Sequence, residues 1–325
     1  MTSSRASRVG VGLVMGACAS MSQAADTSAI FSTYFNQRAD VNFVEPYRGW
    51  SRAGDNFEQV VTSLIREARS SLDVAVMVVT LPHVAQALAD VAQRGVRVRV
   101  IMDNSYRRDW SALTPDEVAS LSAEDQELWA EVDTFVDADG DGEVTEAERA
   151  SGDVAFILAS AGIPVIDDTE DGSKGSGLMH HKFVVVDGRT VLTGSANWTH
   201  SGFFGDIGRP SSRGNAENLV VVRQEQVAQA YAQEFALMWG DGPGGQRDSR
   251  FGVRNGMRPA MTVNTPDGMV QLQFGPSSAT KPSQDTTVGL IDATLKSATH
   301  RVDLGAFVIT DASLTDTMGL WPQVG

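Results

Sequence analysis

The chain has 325 residues, 42% hydrophobic and 21% charged, the composition of a soluble globular protein with one large or two ordinary domains. Its net charge of -15 repels phosphate backbones, which argues against broad non-specific nucleic-acid binding but leaves room for a local basic cleft. Cys18 is the single cysteine, so disulfides are excluded and the compartment must be read from the N-terminus.

Residues 1–24 read as an export signal, predicting a periplasmic or secreted protein. Arg5 and Arg8 precede the apolar stretch Val9 to Met21, which is too short to span a bilayer. Ser22-Gln23-Ala24 fits a cleavage site of small residues, and Met15-Gly16-Ala17-Cys18 offers a rival reading as a lipoprotein box anchored through Cys18.

Residues 56–103 predict helix, strand, helix, strand. Phe57, Val60, Val61, Leu64, Ile65 and Ala68 follow helical spacing; Leu72 to Thr80 is a buried strand. A helix over Pro82 to Arg94 stops at Gly95, and Val96 to Met102 is the next strand, with Asp103 at its end. This alternation predicts an α/β layered fold.

Residues 115–150 interrupt the pattern. Asp137, Asp139 and Asp141 stand at positions one, three and five of an EF-hand-like loop, and Gly142 supplies its sharp turn. Glu143 would offer its carbonyl, Thr145 sits at position nine, and Glu148 is the bidentate twelfth ligand. The flanks, Pro115 to Phe135 and Glu146 to Arg149, are expected to be helical. The expected cofactor is one structural calcium ion.

The layered pattern resumes with helix Val154 to Ala161 and strand Ile163 to Ile166. Leu178 to Gly202 then reads as two strands around the tight turn Asp187-Gly188. A two-residue turn puts Ser195 opposite His180 and Thr193 opposite Lys182. His180, Lys182, Thr193, Ser195 and Asn197 then share one face, with His181 on the other. A neutral imidazole can attack phosphorus, while an ammonium and an amide N–H hold the non-bridging oxygens, so this patch suits phosphoryl chemistry without a metal. Beyond it come a loop over Gly202 to Gly214, strand Leu219 to Val222, helix Gln226 to Trp239 and a Gly- and Asp-rich linker, Gly240 to Arg250.

An internal repeat follows. At one constant offset Pro46 meets Pro276, Ala68 meets Ala298, Asp73 meets Asp303 and Thr80 meets Thr310. Strand Leu72 to Thr80 meets Val302 to Thr310, predicting that residues 265–325 begin a second copy of the domain at 40–242, whose own HxK motif would fall beyond Gly325.

His180-x-Lys182, Asp187 and Gly194-Ser195-x-Asn197 resemble the HKD signature of the phospholipase D superfamily, and Asn215-Ala216-Glu217 resembles its downstream acidic segment. The likeness spans most of residues 40–325 and is specific at 180–197. It implies a layered fold with a mixed sheet flanked by helices. It implies His180 as the nucleophile that forms a phosphohistidine, with Lys182 and Asn197 on the phosphate and Ser195 supporting them. Asp187 completes the catalytic motif as a structural or orienting residue, and Glu217 steadies a catalytic histidine. The family commonly sets two motifs face to face, one histidine attacking and one protonating the leaving oxygen. With one motif present, the expectation is a truncated chain or a homodimer. The expected activity is hydrolysis of a phospholipid phosphodiester. The alternatives are an exported nuclease of the same superfamily and a calcium-stabilised, catalytically incomplete binding protein.

Overall fold

The computed structural model describes residues 29–256, 258–277, 285–306, 309 and 311–319. The expected export signal and Cys18 lie outside the described residues, as do Thr310 and the segment 320–325. Among the described residues, no helix is long and apolar enough to cross a membrane.

A seven-stranded mixed sheet carries the structure. Its strands are β1 (Phe31–Phe35), β4 (Ser71–Val76), β5 (Arg97–Met102), β6 (Val165–Asp167), β7 (Lys182–Val186), β8 (Thr190–Gly194) and β9 (Asn218–Val222), in the spatial order β1-β9-β8-β7-β4-β5-β6. A short hairpin, β2 (Asn42–Val44) and β3 (Ser51–Ala53), precedes the first helix. β4, β5 and β6 run parallel; the other neighbours are antiparallel. β1 pairs with β9 at the edge, so the sheet begins before position 40, in a segment whose alternation the sequence reading passed over.

Helices cover both faces. On one lie α1 (Phe57–Glu67), α2 (Pro82–Gln93) and α6 (Val154–Ser160). The Asn56 side chain caps α1 by accepting from the Gln59 N–H, and Pro82 starts α2 at a position where its missing N–H costs nothing. Phe57, Val61, Leu64 and Leu88 from these helices share a buried cluster with Leu72, Val74, Val184 and Leu192 of the sheet. Each such side chain contributes about 1.5–3 kcal/mol by leaving water. The second face is covered by α8 (Glu225–Trp239), whose Phe235, Met238 and Trp239 join Ala75, Phe183 and Val185.

The insert differs from the single helix expected before the acidic loop. It forms α3 (Pro115–Ser120), α4 (Ala123–Val136) and α5 (Glu146–Gly152). The break falls where Ser122 turns out of helical backbone to cap α4, accepting from Asp125 N–H. A serine with a free N–H partner three residues on favours starting a helix over continuing one.

The central hairpin also departs from expectation. Asp187 (φ 51°) and Gly188 (φ 64°) take the left-handed backbone that the Asp-Gly pair favours, and Arg189 N–H donates to Val186 C=O at 3.0 Å. Three residues, not two, separate the strands, so Val186 pairs with Thr190 and Phe183 with Thr193. A one-residue slip exchanges the faces. Thr193 therefore lies with Phe183 and Val185 on the α8 side, where its hydroxyl donates to the Lys182 backbone carbonyl at 3.3 Å, and it does not share a face with the Lys182 side chain.

Asp187 explains why the turn is held this way. Its carboxylate accepts from the Arg69, Ser70 and Ser71 N–H groups and from the Ser70 hydroxyl, tying the turn to the entry of β4. Lys182 is at the opposite end of β7, so the structure separates Asp187 from Lys182 and leaves it the structural half of its expected role.

The C-terminal part contains the hairpin β10 (Met261–Thr265) and β11 (Gly268–Leu272), then α9 (Thr287–Lys296) and α10 (Ala312–Thr317). α9 covers the positions at which the repeat called for a helix. The expected strand Val302 to Thr310 is not formed over 302–306, the part of it that is continuously described. No described strand lies beside it to complete a ladder, and Val302 and Leu304 stay exposed.

The Asp187 anchor is testable by Asp187→Asn, since asparagine tolerates the left-handed backbone. Burial alone would raise the Asp187 pKa, but its backbone and Ser70 hydroxyl donors outweigh burial and hold it below the usual aspartate value. Its contribution is therefore present above the unfolded pKa and lost as pH falls through the lower folded one. The variant should lose about 1–3 kcal/mol in urea unfolding at neutral pH, and the deficit should shrink in acid. An unchanged midpoint at neutral pH would show that the carboxylate does not hold the loop.

Candidate active site

The patch is built where β4 and β5 end and β7 begins. Lys182 opens β7 with its side chain buried at 6% exposure, while His180, two residues earlier, is exposed. Lys182 Nζ donates to the His180 carbonyl at 3.1 Å and lies 3.8 Å from Met77 Sδ. The strand brings His180 and Lys182 to one side, as the period-two alternation requires. His181 turns to the α8 side, where its ring meets Phe183 and Phe274 edge-on and Nε2 lies 3.7 Å from Glu234.

A residue left without a role by the sequence reading holds this segment in place. Asp103, fully buried just past β5, accepts from Met179 N–H at 2.7 Å through Oδ2 and from Ser105 N–H at 2.9 Å through Oδ1. One signal could have found it: a carboxylate at the carboxyl end of an apolar strand in an α/β sheet sits where such folds bind ligands.

Ser195 and Asn197 follow β8. Ser195 is exposed, and its Oγ accepts from Asn218 N–H (3.0 Å) and Asn218 Nδ2 (3.2 Å). Asn197 Oδ1 is buried with no hydrogen-bond partner among the described residues. The next residue, Trp198, is fully buried; its N–H donates to Val78 C=O, and Thr80 N–H donates to its carbonyl. Two backbone bonds thus fix the position of Asn197.

The charges set the protonation of the pair. Burial pushes the Lys182 ammonium down to about 8, with Glu217 and Asp103 partly restoring it. Burial, then the positive charge of Lys182, lowers the His180 pKa below its ordinary value. At neutral pH the imidazole is therefore the free base and the ammonium is mostly charged, a nucleophile beside a fixed cation. Glu217, just before β9, acts here on Lys182.

Helix α7 (His200–Phe204) backs the site. Its N-terminus is capped from the insert. Glu131 of α4, fully buried, accepts from His200 N–H at 2.7 Å, Ser201 N–H at 3.2 Å and the Thr80 hydroxyl. His200 is a core residue: Nδ1 pairs with the Gly205 carbonyl, and burial pulls its pKa down to about 4.

The acidic loop lies between α4 and α5. The carboxylates of Asp137, Asp139 and Asp141 each present an oxygen within 4.8 Å of the others. Asp137 accepts from the Gly140, Asp141 and Gly142 N–H groups, and both glycines carry positive φ. Three carboxylates this close repel one another, and a hard divalent cation is the partner that their chemistry fits. Glu143 donates its N–H to Asp141, leaving its carbonyl free of that bond. The structure does not bring Glu148 to the trio. Its carboxylate accepts from the Thr145 N–H and hydroxyl at 2.8 Å in a capping box that starts α5.

A family model described as cardiolipin synthase, PLD-like domain, matches residues 61–239. The mitochondrial cardiolipin hydrolase of Xenopus tropicalis is 32% identical over 183 residues, covering 56% of this chain and 60% of its own length. Its Homo sapiens counterpart is 26% identical over 185 residues, covering 56% and 52%. The chain thus spans little more than half the length of these relatives. Among solved structures, Nuc, a phospholipase D family member of Salmonella typhimurium, overlaps 57% of this chain and 89% of its own at 22% identity, with a TM-score of 0.35.

The electrostatic arrangement makes a direct prediction. Lys182 should titrate near pH 8 when followed by NMR of labelled lysine side chains. Glu217→Gln removes a negative neighbour and should lower that value further. No change, or a rise, would show that Glu217 does not act on this ammonium.

Proposed function

The chain belongs to the phospholipase D-like domain family that includes cardiolipin synthase, and from that premise we propose that it is an exported phosphodiesterase acting on phospholipids through a phosphohistidine at His180. The observation that carries this reading is His180 two residues before the buried Lys182, whose ammonium donates to the His180 carbonyl at 3.1 Å. The relatives named cardiolipin hydrolase support a lipid substrate, and the net charge of -15 weighs against a nucleic acid.

In this mechanism His180 attacks phosphorus and forms a P–N bond as the bond to the leaving alcohol breaks. Lys182 holds a non-bridging oxygen while charge builds, and the Asn197 amide N–H groups donate to the same phosphoryl group. Water then attacks the phosphohistidine, its proton passing to the group that had protonated the alcohol, and the P–N bond breaks to release the phosphate monoester and restore His180. The leaving oxygen needs a proton. His200 is buried in the core and His181 faces α8, so neither supplies it. We assign this proton to a second copy of the motif, brought by a partner molecule. Export is supported by the positively charged, apolar character of residues 1–24. The aspartate trio would hold one structural calcium ion, whose chemistry is charge neutralisation between α4 and α5 and not a catalytic step.

His180→Ala should reduce turnover of a phospholipid by many orders of magnitude, while His181→Ala keeps most of it. Equal losses would contradict the assignment. Wild-type activity, followed across a dilution series with mass measured on the same samples, should fall as molecules separate. A strictly monomeric sample with full activity would place the proton donor within this chain.

Calcium at a hundredfold excess over its Kd should stabilise the fold by about 2.7 kcal/mol, read as a rise in Tm. Asp137→Ala should abolish the rise. If a chelator stops turnover at a temperature where the fold persists, the metal belongs to the chemistry.

A further inference from the structure

The hairpin β2–β3, the end of β1, helix α7 and the loop that follows it enclose a cavity of about 320 Å³. That is the low end of the range for small-ligand sites, roughly 300–1,000 Å³. The cavity is separate from the catalytic patch, since neither His180 nor Lys182 lines it. It lies at the same end of the sheet. Asn36, one of its walls, accepts from Glu217 N–H at 2.8 Å and donates from Nδ2 to the Asn215 carbonyl at 2.9 Å.

The lining carries charge of one sign. Arg52 and Arg213 belong to it and no carboxylate does, against the net charge of -15 of the whole chain. Arg52 is buried at 4% exposure. Its Nη1 donates to the carbonyls of Arg209, Pro210 and Ser212, and its Nη2 to that of Asp206. These bonds fasten the loop, and that would be the whole account of Arg52 if they satisfied the guanidinium. They do not: Nε is buried without an acceptor. Carbonyls are also neutral, so the charge stays unpaired. Among the described residues, no carboxylate comes within ion-pairing distance of Arg52 or Arg213. Glu45 and Asp206 act on Arg52 only at longer range, and Asp206 already faces Arg209 at 3.8 Å. A buried guanidinium without a counter-ion is costly, and an anion in this cavity offsets that cost.

We propose that this cavity is a second anion site, which takes a phosphate group between Arg52 and Arg213. The phosphate supplies both the acceptor that Nε lacks and the counter-charge. Ser51 and Ser211 add hydroxyl donors to the same lining. Free phosphate and the phosphomonoester headgroup of a lipid carry the same chemistry. Binding here calls on neither His180 nor turnover, so the site stands or falls apart from the phosphodiesterase reading.

The test titrates the full chain with inorganic phosphate. Phosphate also fits the catalytic patch, so calorimetry is done in the Lys182→Met background, where a phosphate site should remain. Arg213→Gln should weaken that site by on the order of tenfold, and added chloride salt should weaken it too. Replacing Arg52 would also unfasten the loop, so Arg52 is followed intact. Its Nε–H resonance in wild type, in arginine-labelled protein, should shift over the phosphate range that calorimetry finds. No remaining site in Lys182→Met, or one that leaves either the Arg213→Gln affinity or the Arg52 Nε–H signal unchanged, would overturn the proposal. Vesicles of phosphatidylcholine with and without phosphatidate then identify the source. Recruitment by phosphatidate that Arg213→Gln weakens assigns the lipid headgroup; phosphate binding without such recruitment assigns the free ion.

Discussion

An ammonium group at the head of a buried strand is costly to desolvate, and much of the site answers that cost. Lys182 is enclosed by the ends of β4 and β7, and its charge survives at neutral pH through the fields of Glu217 and Asp103. Asp103 serves twice, since its carboxylate also fixes the backbone just before His180. Partial desolvation of the His180 ring, then the charge of Lys182, lowers the imidazole's pKa, so the buried cation helps to keep its exposed neighbour a free base. An exposed lysine at this position would remain fully charged, but water would screen its grip on a phosphate oxygen.

Much of this was legible in the linear chain because the motif residues sit on one hairpin. Local alternation was enough to put His180 and Lys182 on one side and His181 on the other. The register was not legible at the last residue. Loop length at Asp187 is set by bonds to Arg69, Ser70 and Ser71, which are remote in sequence and near only after folding. That single extra residue moved Thr193 to the far face. The α/β alternation of helices and strands was readable from periodicity, whereas the edge strand β1 was missed because its partner β9 lies at the other end of the domain.

The roles of Asp103 and Glu131 were illegible for a related reason, although the place of Asp103 at the end of an apolar strand marked it as a candidate. Neither sits in a motif, and each acts by accepting backbone N–H groups from distant segments, a role that any chain position could fill. The acidic loop shows the converse. Its spacing correctly brought three aspartates together, yet spacing could not say that Glu148 would pair with Thr145 at the start of α5, because the twelfth ligand of such a loop and the third residue of a capping box occupy the same sequence position.

The Glu131 cap bears on modularity. A segment interrupting a layered fold looks like a cassette that could be cut out and replaced by a short turn. Here the excision would remove the acceptor for two backbone N–H groups and a threonine hydroxyl in the protein interior, each unsatisfied group costing about 1–3 kcal/mol. A host domain that lost the cassette would need a new carboxylate at the same point in space, from some other part of the chain. The interruption has become a structural dependency: the parent fold now borrows one of its internal fastenings from the passenger it carries.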